Sequence, residues 1–299
     1  MPKGKPASGK RKYNAARPVG RPRTKVDEAD LIVHNSSTKK PKTTDQQIAD
    51  NIKERFAIMV KLIDTVVLGD ARALIISGPP GCGKTFTVEE RMKKLLKDNS
   101  FEPVRGYSTR TGLYSTFYKY RHPGDVVVFD DTDVIFTDTV ALNLLKAACD
   151  TCPVRTMTYL SKCILTDDAG LTIPSSFHFQ GSVIFITNLD FDQMVAKKSK
   201  LSTHISALMS RANYVDLAMP TRREALIRIR QVCITDGMLK KLGLTSKEQT
   251  EVLNFISDNE DRMRELTLRE VIKIATLRKE KPKEWVRLCQ VTCLKPLHG

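Results

Sequence analysis

Ala73-Leu74-Ile75-Ile76-Ser77 runs straight into Gly78-Pro79-Pro80-Gly81-Cys82-Gly83-Lys84-Thr85. An apolar β-type run followed by G-x-x-x-x-G-K-T predicts a strand, a phosphate-cradling loop and a helix in succession. The glycines let backbone N–H groups close around phosphates, and the following helix turns its positive end towards the same anion. Within the cradle, Lys84 is expected to reach the β- and γ-phosphates of a nucleotide. Thr85 is expected to offer its hydroxyl to Mg²⁺.

Working outward, Val126-Val127-Val128-Phe129-Asp130-Asp131 is a second apolar strand, ending in paired carboxylates. After a phosphate loop, an acid at a strand tip suits the water shell of Mg²⁺, the role expected for Asp130. The next acid, Asp131, is placed to orient or activate an attacking water. Ser182-Val183-Ile184-Phe185-Ile186-Thr187-Asn188 is a third such strand with a polar tip. Asn188 either hydrogen-bonds that water or the γ-phosphate, or is an ordinary turn asparagine. Further on, Arg211 precedes a short strand within residues 207–217.

Between these landmarks the periodicity is mostly helical. Ile48, Ile52, Phe56, Met59, Val60 and Ile63 predict a helix over residues 44–67, capped by Thr44 or Asp45 and ended by Leu68-Gly69-Asp70. Helices are expected at 85–96, 113–121, 139–149 and 221–233, with a further strand near 103–107. Residues 153–180 read as a polar, β-rich insertion. Beyond Asp236-Gly237 the chain reads as almost wholly helical, a separate small domain over 236–299.

A hydrophobic content of 41% with 28% charged residues suits a globular chain. No run approaches the apolar length of a membrane span, and Met1-Pro2-Lys3 opens a basic rather than an apolar segment. These features argue for an intracellular protein, in the host cytoplasm if viral, and against secretion. The charge is uneven: residues 1–43 hold twelve Lys/Arg against three Asp/Glu, a net +9 of the total +15. Such a segment, poor in apolar residues, is not expected to fold alone, and its charge suggests a polyanionic partner. Within it, Arg17-Pro18-Val19-Gly20-Arg21-Pro22-Arg23 resembles an AT-hook. The prolines keep the peptide extended, Gly20 allows close approach, and Arg17, Arg21 and Arg23, flanking Pro22, suit a narrow A·T-rich minor groove of DNA. A general phosphate-binding or nuclear-import tail is the alternative. Seven cysteines, one inside the phosphate loop, point to reduced thiols rather than a disulfide framework. Cys149 and Cys152 have the spacing of half a zinc site, with Cys163 nearby, but no second clear pair completes four ligands. Cys289, Cys293 and His298 make no stronger case.

In this order the motifs resemble the AAA+ ATPases over about residues 44–280. Residues 78–85 match Walker A, Val126 to Asp131 match Walker B, and Asn188 matches sensor 1. Arg211, in Met209-Ser210-Arg211, looks like an arginine finger. Arg269, in Leu266-Thr267-Leu268-Arg269-Glu270, looks like a sensor-2 arginine on a lid helix. The departure is Asp130-Asp131 where the family usually has Asp-Glu, which puts fast hydrolysis rather than nucleotide binding in question. Viral helicases of superfamily 3 tolerate two acids there and are an alternative. Gly112 to Tyr118, Asn143 to Ala148 and Phe177 to Asn188 look most like bacteriophage AAA+ proteins.

The resemblance implies an α/β P-loop core with a five-stranded parallel sheet over 44–235, a small all-helical lid over 236–299, and a basic tail over 1–43. It implies ATP and Mg²⁺ as ligands and a ring, often a hexamer, with Arg211 acting on a neighbour's nucleotide. The loops at 108–112 and 132–137 would face a central channel, with Tyr114, Arg110 and Lys119 as candidate contacts, although an aromatic residue on an amphipathic helix is more often core. The leading functional expectation is an ATP-driven motor or remodeller acting on DNA. The competing expectations are a chaperone with a polypeptide client and an ATP-gated DNA-bound scaffold with little turnover.

Overall fold

The computed structural model describes residues 43–96, 101–161 and 164–296. The basic tail with Arg17, Gly20, Arg21, Pro22 and Arg23 lies outside the described residues, as do Cys163 and His298. Helix α1 (Asp45–Val67) opens on a capping box in which Thr44 Oγ1 accepts from the Gln47 N–H and Gln47 Oε1 accepts from the Thr44 N–H. Its stripe of Ile52, Phe56, Met59, Ile63 and Val66 is buried. There follow β1 (Ala73–Ser77), α2 (Lys84–Leu95), β2 (Phe101–Arg105), α3 (Arg110–Lys119), β3 (Val126–Asp130) and α4 (Thr139–Ala148). The insertion carries a short antiparallel hairpin, β4 (Thr156–Thr158) with β5 (Ser176–His178). The remaining core elements are β6 (Ser182–Thr187), α5 (Phe191–Ala196), α6 (Ser202–Met209) and β7 (Asn213–Asp216).

Five strands form one parallel sheet in the order β2-β3-β6-β1-β7. The three central strands β3, β6 and β1 are buried along their whole length, which is why they read as unbroken apolar runs rather than as alternation. Alternate residues serve opposite faces. Ile75, Val127, Phe129, Val183 and Phe185 pack with α3, α4, α6 and the hairpin. Leu74, Ile76, Val126, Val128, Ile184 and Ile186 pack with α1 and α2. Parallel strands bring all their C-terminal ends to one edge, so the tips of β1, β3 and β6 open onto a shared crevice.

Three expectations need correction. The second strand ends at Arg105, not residue 107, because Gly106 takes φ +84 and turns the chain, leaving Tyr107 exposed. The next helix begins at Arg110 rather than 113, capped by Thr109, whose Oγ1 accepts from the Gly112 N–H at 3.0 Å. Tyr114 is no channel contact: it is 1% exposed, and its hydroxyl donates to Pro174 O at 2.9 Å. The other two candidates are exposed and ion-paired, Arg110 with Asp138 at 2.6 Å and Lys119 with Asp168 at 3.1 Å.

The C-terminal part is helical: α7 (Arg222–Arg230), a π-turn at Gln231–Thr235, α8 (Met238–Lys241), α9 (Ser246–Asp258), α10 (Leu268–Glu280) and α11 (Trp285–Thr292). Its apolar core begins at Leu226 and Ile229 of α7 and Cys233 of the π-turn, and continues through Val252, Ile256 and Ile274 to Cys289. Among the described residues no helix is long and apolar enough to cross a membrane.

Candidate nucleotide site

Gly78, Pro79, Pro80, Gly81, Cys82 and Gly83 form the loop between β1 and α2. Gly78, Gly81 and Gly83 take φ of +153, +68 and +104, values that side chains disfavour and glycine tolerates. Lys84 is buried beneath them. Its ammonium donates to Gly78 O at 2.7 Å, Pro79 O at 2.9 Å and Asn188 Oδ1 at 2.9 Å. Burial pulls its pKa below the ordinary lysine value, while Cys82, Asp131, Asp130 and Asp133 oppose the fall.

The acids lie where their strand ends. Thr85 Oγ1 donates to Asp130 Oδ1 at 2.9 Å, so hydroxyl and carboxylate converge from α2 and β3. Hard oxygen donors of this kind suit Mg²⁺, which would be held there with water and phosphate oxygens. Once bound, that ion would supply charge neutralisation on a phosphate chain. Asp131 sits one residue past the strand with φ +52, a left-handed conformation that aspartate tolerates at some cost. The kink turns its carboxylate to Asn188, whose Nδ2 donates to Oδ1 at 2.8 Å, and to Arg269, whose Nη2 is 3.8 Å from Oδ2. The structure thus gathers Lys84, Thr85, Asp130, Asp131, Asn188 and Arg269, drawn from four elements and their flanking turns.

Arg211 is not gathered with them. It stands two residues before β7 begins, at the sheet edge where strands start. There its Nη1 donates to Ala207 O at 2.6 Å and its Nε is 4.0 Å from Asp150. Asp150 O also accepts from Arg72, the residue preceding β1, which places the pair at the edge opposite the phosphate loop.

Three side chains at the site escaped the sequence reading. Arg105, at the tip of β2, is in register with Asp130 and donates through Nε to Asp130 Oδ2 at 3.1 Å while pairing with Glu89 of α2. Asp133 accepts from Thr187 Oγ1 at 2.5 Å, and its burial raises its pKa above the usual carboxylate value. Arg228 of α7 lies against the loop, its Nε 3.4 Å from Cys82 O. The available signal for Arg105 was register: a strand-tip acid on β3 implies a neighbour on β2, but only a correctly ended β2 identifies it.

The helical part meets the loop directly. The Leu268 N–H donates to Gly81 O at 2.8 Å, and Thr267, the cap of α10, packs on Gly81. Cys82 belongs to the loop itself, and among the described residues the other cysteines belong to no metal-holding cluster. Cys149 is buried, and burial pushes its thiol up to about 12. Among the described residues no group of three or more His, Cys, Asp or Glu is placed to hold a metal ion.

Comparison with known proteins gives three matches. A family model described as RNA helicase matches residues 74–165, the span from β1 through the paired acids and into the insertion. Among solved structures, an arginine-to-alanine variant of Thermotoga maritima RuvB is similar at a TM-score of 0.44 and 13% identity, over 81% of this chain and 68% of that one. An uncharacterised 36.7 kDa protein of Enterobacteria phage T4, from the nrdC-mobD intergenic region, is 31% identical over 252 residues, or 84% of this chain and 77% of that protein. The chain belongs to the family of that phage T4 protein.

Proposed function

We propose that the protein is an ATP-hydrolysing motor or remodeller of the AAA+ type that acts on DNA. The observation carrying this reading is the convergence of Lys84, Thr85, Asp130, Asp131 and Asn188 at the tips of three adjacent parallel strands. In this reading Lys84 leaves its loop carbonyls for the β- and γ-phosphates. Thr85 and Asp130 hold Mg²⁺, and Asp131, oriented by Asn188, positions the attacking water. Arg269, already beside Asp131, reaches the phosphates from the lid over residues 236–299. Arg211, at the far edge of the sheet, serves a neighbour's site in a ring, a hexamer being the expected closed form. An arginine that cannot reach its own nucleotide but flanks an exposed edge supports that arrangement.

DNA enters through the tail. Its +9 charge supports polyanion binding, and the AT-hook-like residues Arg17, Gly20, Arg21, Pro22 and Arg23 support a preference for A·T-rich duplex. The matched model described as RNA helicase favours a second reading, a superfamily 3-like helicase working on single-stranded nucleic acid. One experiment separates these: ATP turnover by full-length and tail-deleted protein with duplex DNA, single-stranded DNA, single-stranded RNA or no polymer. Duplex stimulation that depends on the tail supports the first reading, and single-strand stimulation without the tail supports the second. Turnover indifferent to every polymer would refute both and favour a protein client, while nucleotide-dependent assembly without turnover would favour a scaffold. Changing Arg21 and Arg23 to alanine should weaken A·T-rich duplex binding selectively; an equal loss on all sequences would leave a general electrostatic tail.

A further inference from the structure

Arg228 is the anomaly among the buried cations. Only 8% of it is exposed. Its guanidinium carbon sits 3.6 Å from the centroid of the Phe56 ring. Its hydrogen bond to Cys82 O, at 3.4 Å, is at the long limit. Among the described residues no carboxylate lies within ion-pair distance of it. Other enclosed arginines are better served: buried Arg155 donates to Ala148 O at 2.6 Å and Gly181 O at 2.8 Å, and partly buried Arg278 pairs with Glu251 at 2.6 Å. Burial lowers the Arg228 pKa from its ordinary value, with Asp236 opposing from a distance.

A guanidinium carries five N–H donors and stays charged, so burying it without an anion is costly. The protein bears that cost beside its phosphate loop. Arg228 Nη2 lies 3.6 Å from where a Cβ on Gly83 would stand, and Gly83 caps the N-terminus of α2, where backbone N–H groups face an anion. Arg228 also lines a cavity of about 370 Å³ that Pro80, Cys82, Thr221 and Thr267 share. The cavity lies between the outer side of the loop and the helical part.

We propose that Arg228 is a phosphate-binding residue of the nucleotide site, delivered by α7 and separate from Arg269. The proposal rests on the nucleotide-binding reading above and deepens it. Phe56 holds the guanidinium plane, Cys82 O takes one donor, and the remaining donors are held ready for phosphate oxygens, the geometry at which arginine excels. The first helix of the C-terminal part thereby contributes a contact to the phosphates separate from that of Arg269 on α10.

The test compares wild type with Arg228→Met, which keeps the stem on Phe56 and removes the charge, and Arg228→Lys, which restores a charge. Thermal unfolding of the full chain is followed alone and with Mg²⁺ plus ATP, ADP or adenosine, alongside direct titration of each nucleotide. Without nucleotide, Arg228→Met is expected to melt no lower than wild type, since an uncompensated charge has gone. Its affinity for ATP and ADP is expected to fall about tenfold to a hundredfold, the worth of charged hydrogen bonds, with adenosine unaffected and Arg228→Lys recovering part of the loss. Unchanged ATP affinity in Arg228→Met would overturn the proposal. So would a fall in both melting temperature and affinity that Arg228→Lys does not repair, because that marks a packing role. If wild type binds no nucleotide, the nucleotide-site reading itself has failed.

Discussion

Gly81 is where the phosphate loop and the helical part can be tested against each other. Its φ of +68 already excludes most residues, and a Cβ there would stand 2.7 Å from the Thr267 Cβ. The obstacle is the root of a side chain at a helix cap, not a flexible tip, so the loop or the start of α10 must move. Gly69 is the control: it has φ +84 and nothing within 4 Å of an added Cβ. Alanine in a left-handed conformation costs about 1–2 kcal/mol, so Gly69→Ala should lose about that much stability. Gly81→Ala should lose the same amount plus an overpacking cost of about 1–3 kcal/mol. The Leu268 N–H bond to Gly81 O, now 2.8 Å, would lengthen as α10 shifts. Urea unfolding of the full chain without nucleotide reads both variants. A cycle with Thr267→Gly isolates the contact, because the weakened cap, worth roughly a few tenths of a kcal/mol when glycine replaces it, appears in both arms and cancels. Equal losses for Gly69→Ala and Gly81→Ala would refute the seating of α10 on the loop.

Other outcomes follow from the same geometry. Arg211→Ala should bind ATP as wild type does yet lose turnover about a thousandfold, the scale of a missing arginine finger. Wild-type turnover in that variant would leave Arg211 as a partner of Asp150 alone. Stability should fall in alkali: burial pushes the thiols of Cys149, Cys233 and Cys289 up to about 12 from 9.0. The folded chain then keeps protons that the unfolded chain releases, so their contribution is whole below pH 9.0 and is lost as pH climbs towards about 12. Unfolding midpoints between these limits should therefore fall less steeply in Cys233→Ala than in wild type, and identical slopes would contradict the shift.

The site was legible where local chemistry decides it. Strands β1, β3 and β6 are apolar from end to end because helices cover both sheet faces, and each runs into a polar tip that chemistry explains. Lys84, Asp130, Asp131 and Asn188 could accordingly be read from the chain and meet in space. The second strand could not: Phe101-Glu102-Pro103-Val104-Arg105 has neither an apolar run nor clean alternation, and misplacing its end by two residues hid Arg105. Arg228 was lost for a different reason. In Arg222-Arg223-Glu224-Ala225-Leu226-Ile227-Arg228-Ile229-Arg230 the basic residues read as one solvated face, and only the packing of α7 on Phe56 and the loop buries Arg228 and spares Arg223. The contact of Thr267 with Gly81 joins segments far apart in sequence, which no local pattern encodes. Tyr114 shows the reverse hazard: a polar aromatic that looks like a contact residue became core once its hydroxyl found Pro174 O.

In the proposed function, the loop at 78–85 and the acids at 130 and 131 form a working ATPase site. Phosphate release from ATP by the full chain, with and without Mg²⁺, alongside Lys84→Ala and Asp131→Asn, tests it most directly. Mg²⁺-dependent turnover is expected of wild type, loss of ATP binding of Lys84→Ala, and binding without turnover of Asp131→Asn. Turnover that persists unchanged in Lys84→Ala, or a wild-type chain that neither binds nor cleaves ATP, would contradict it.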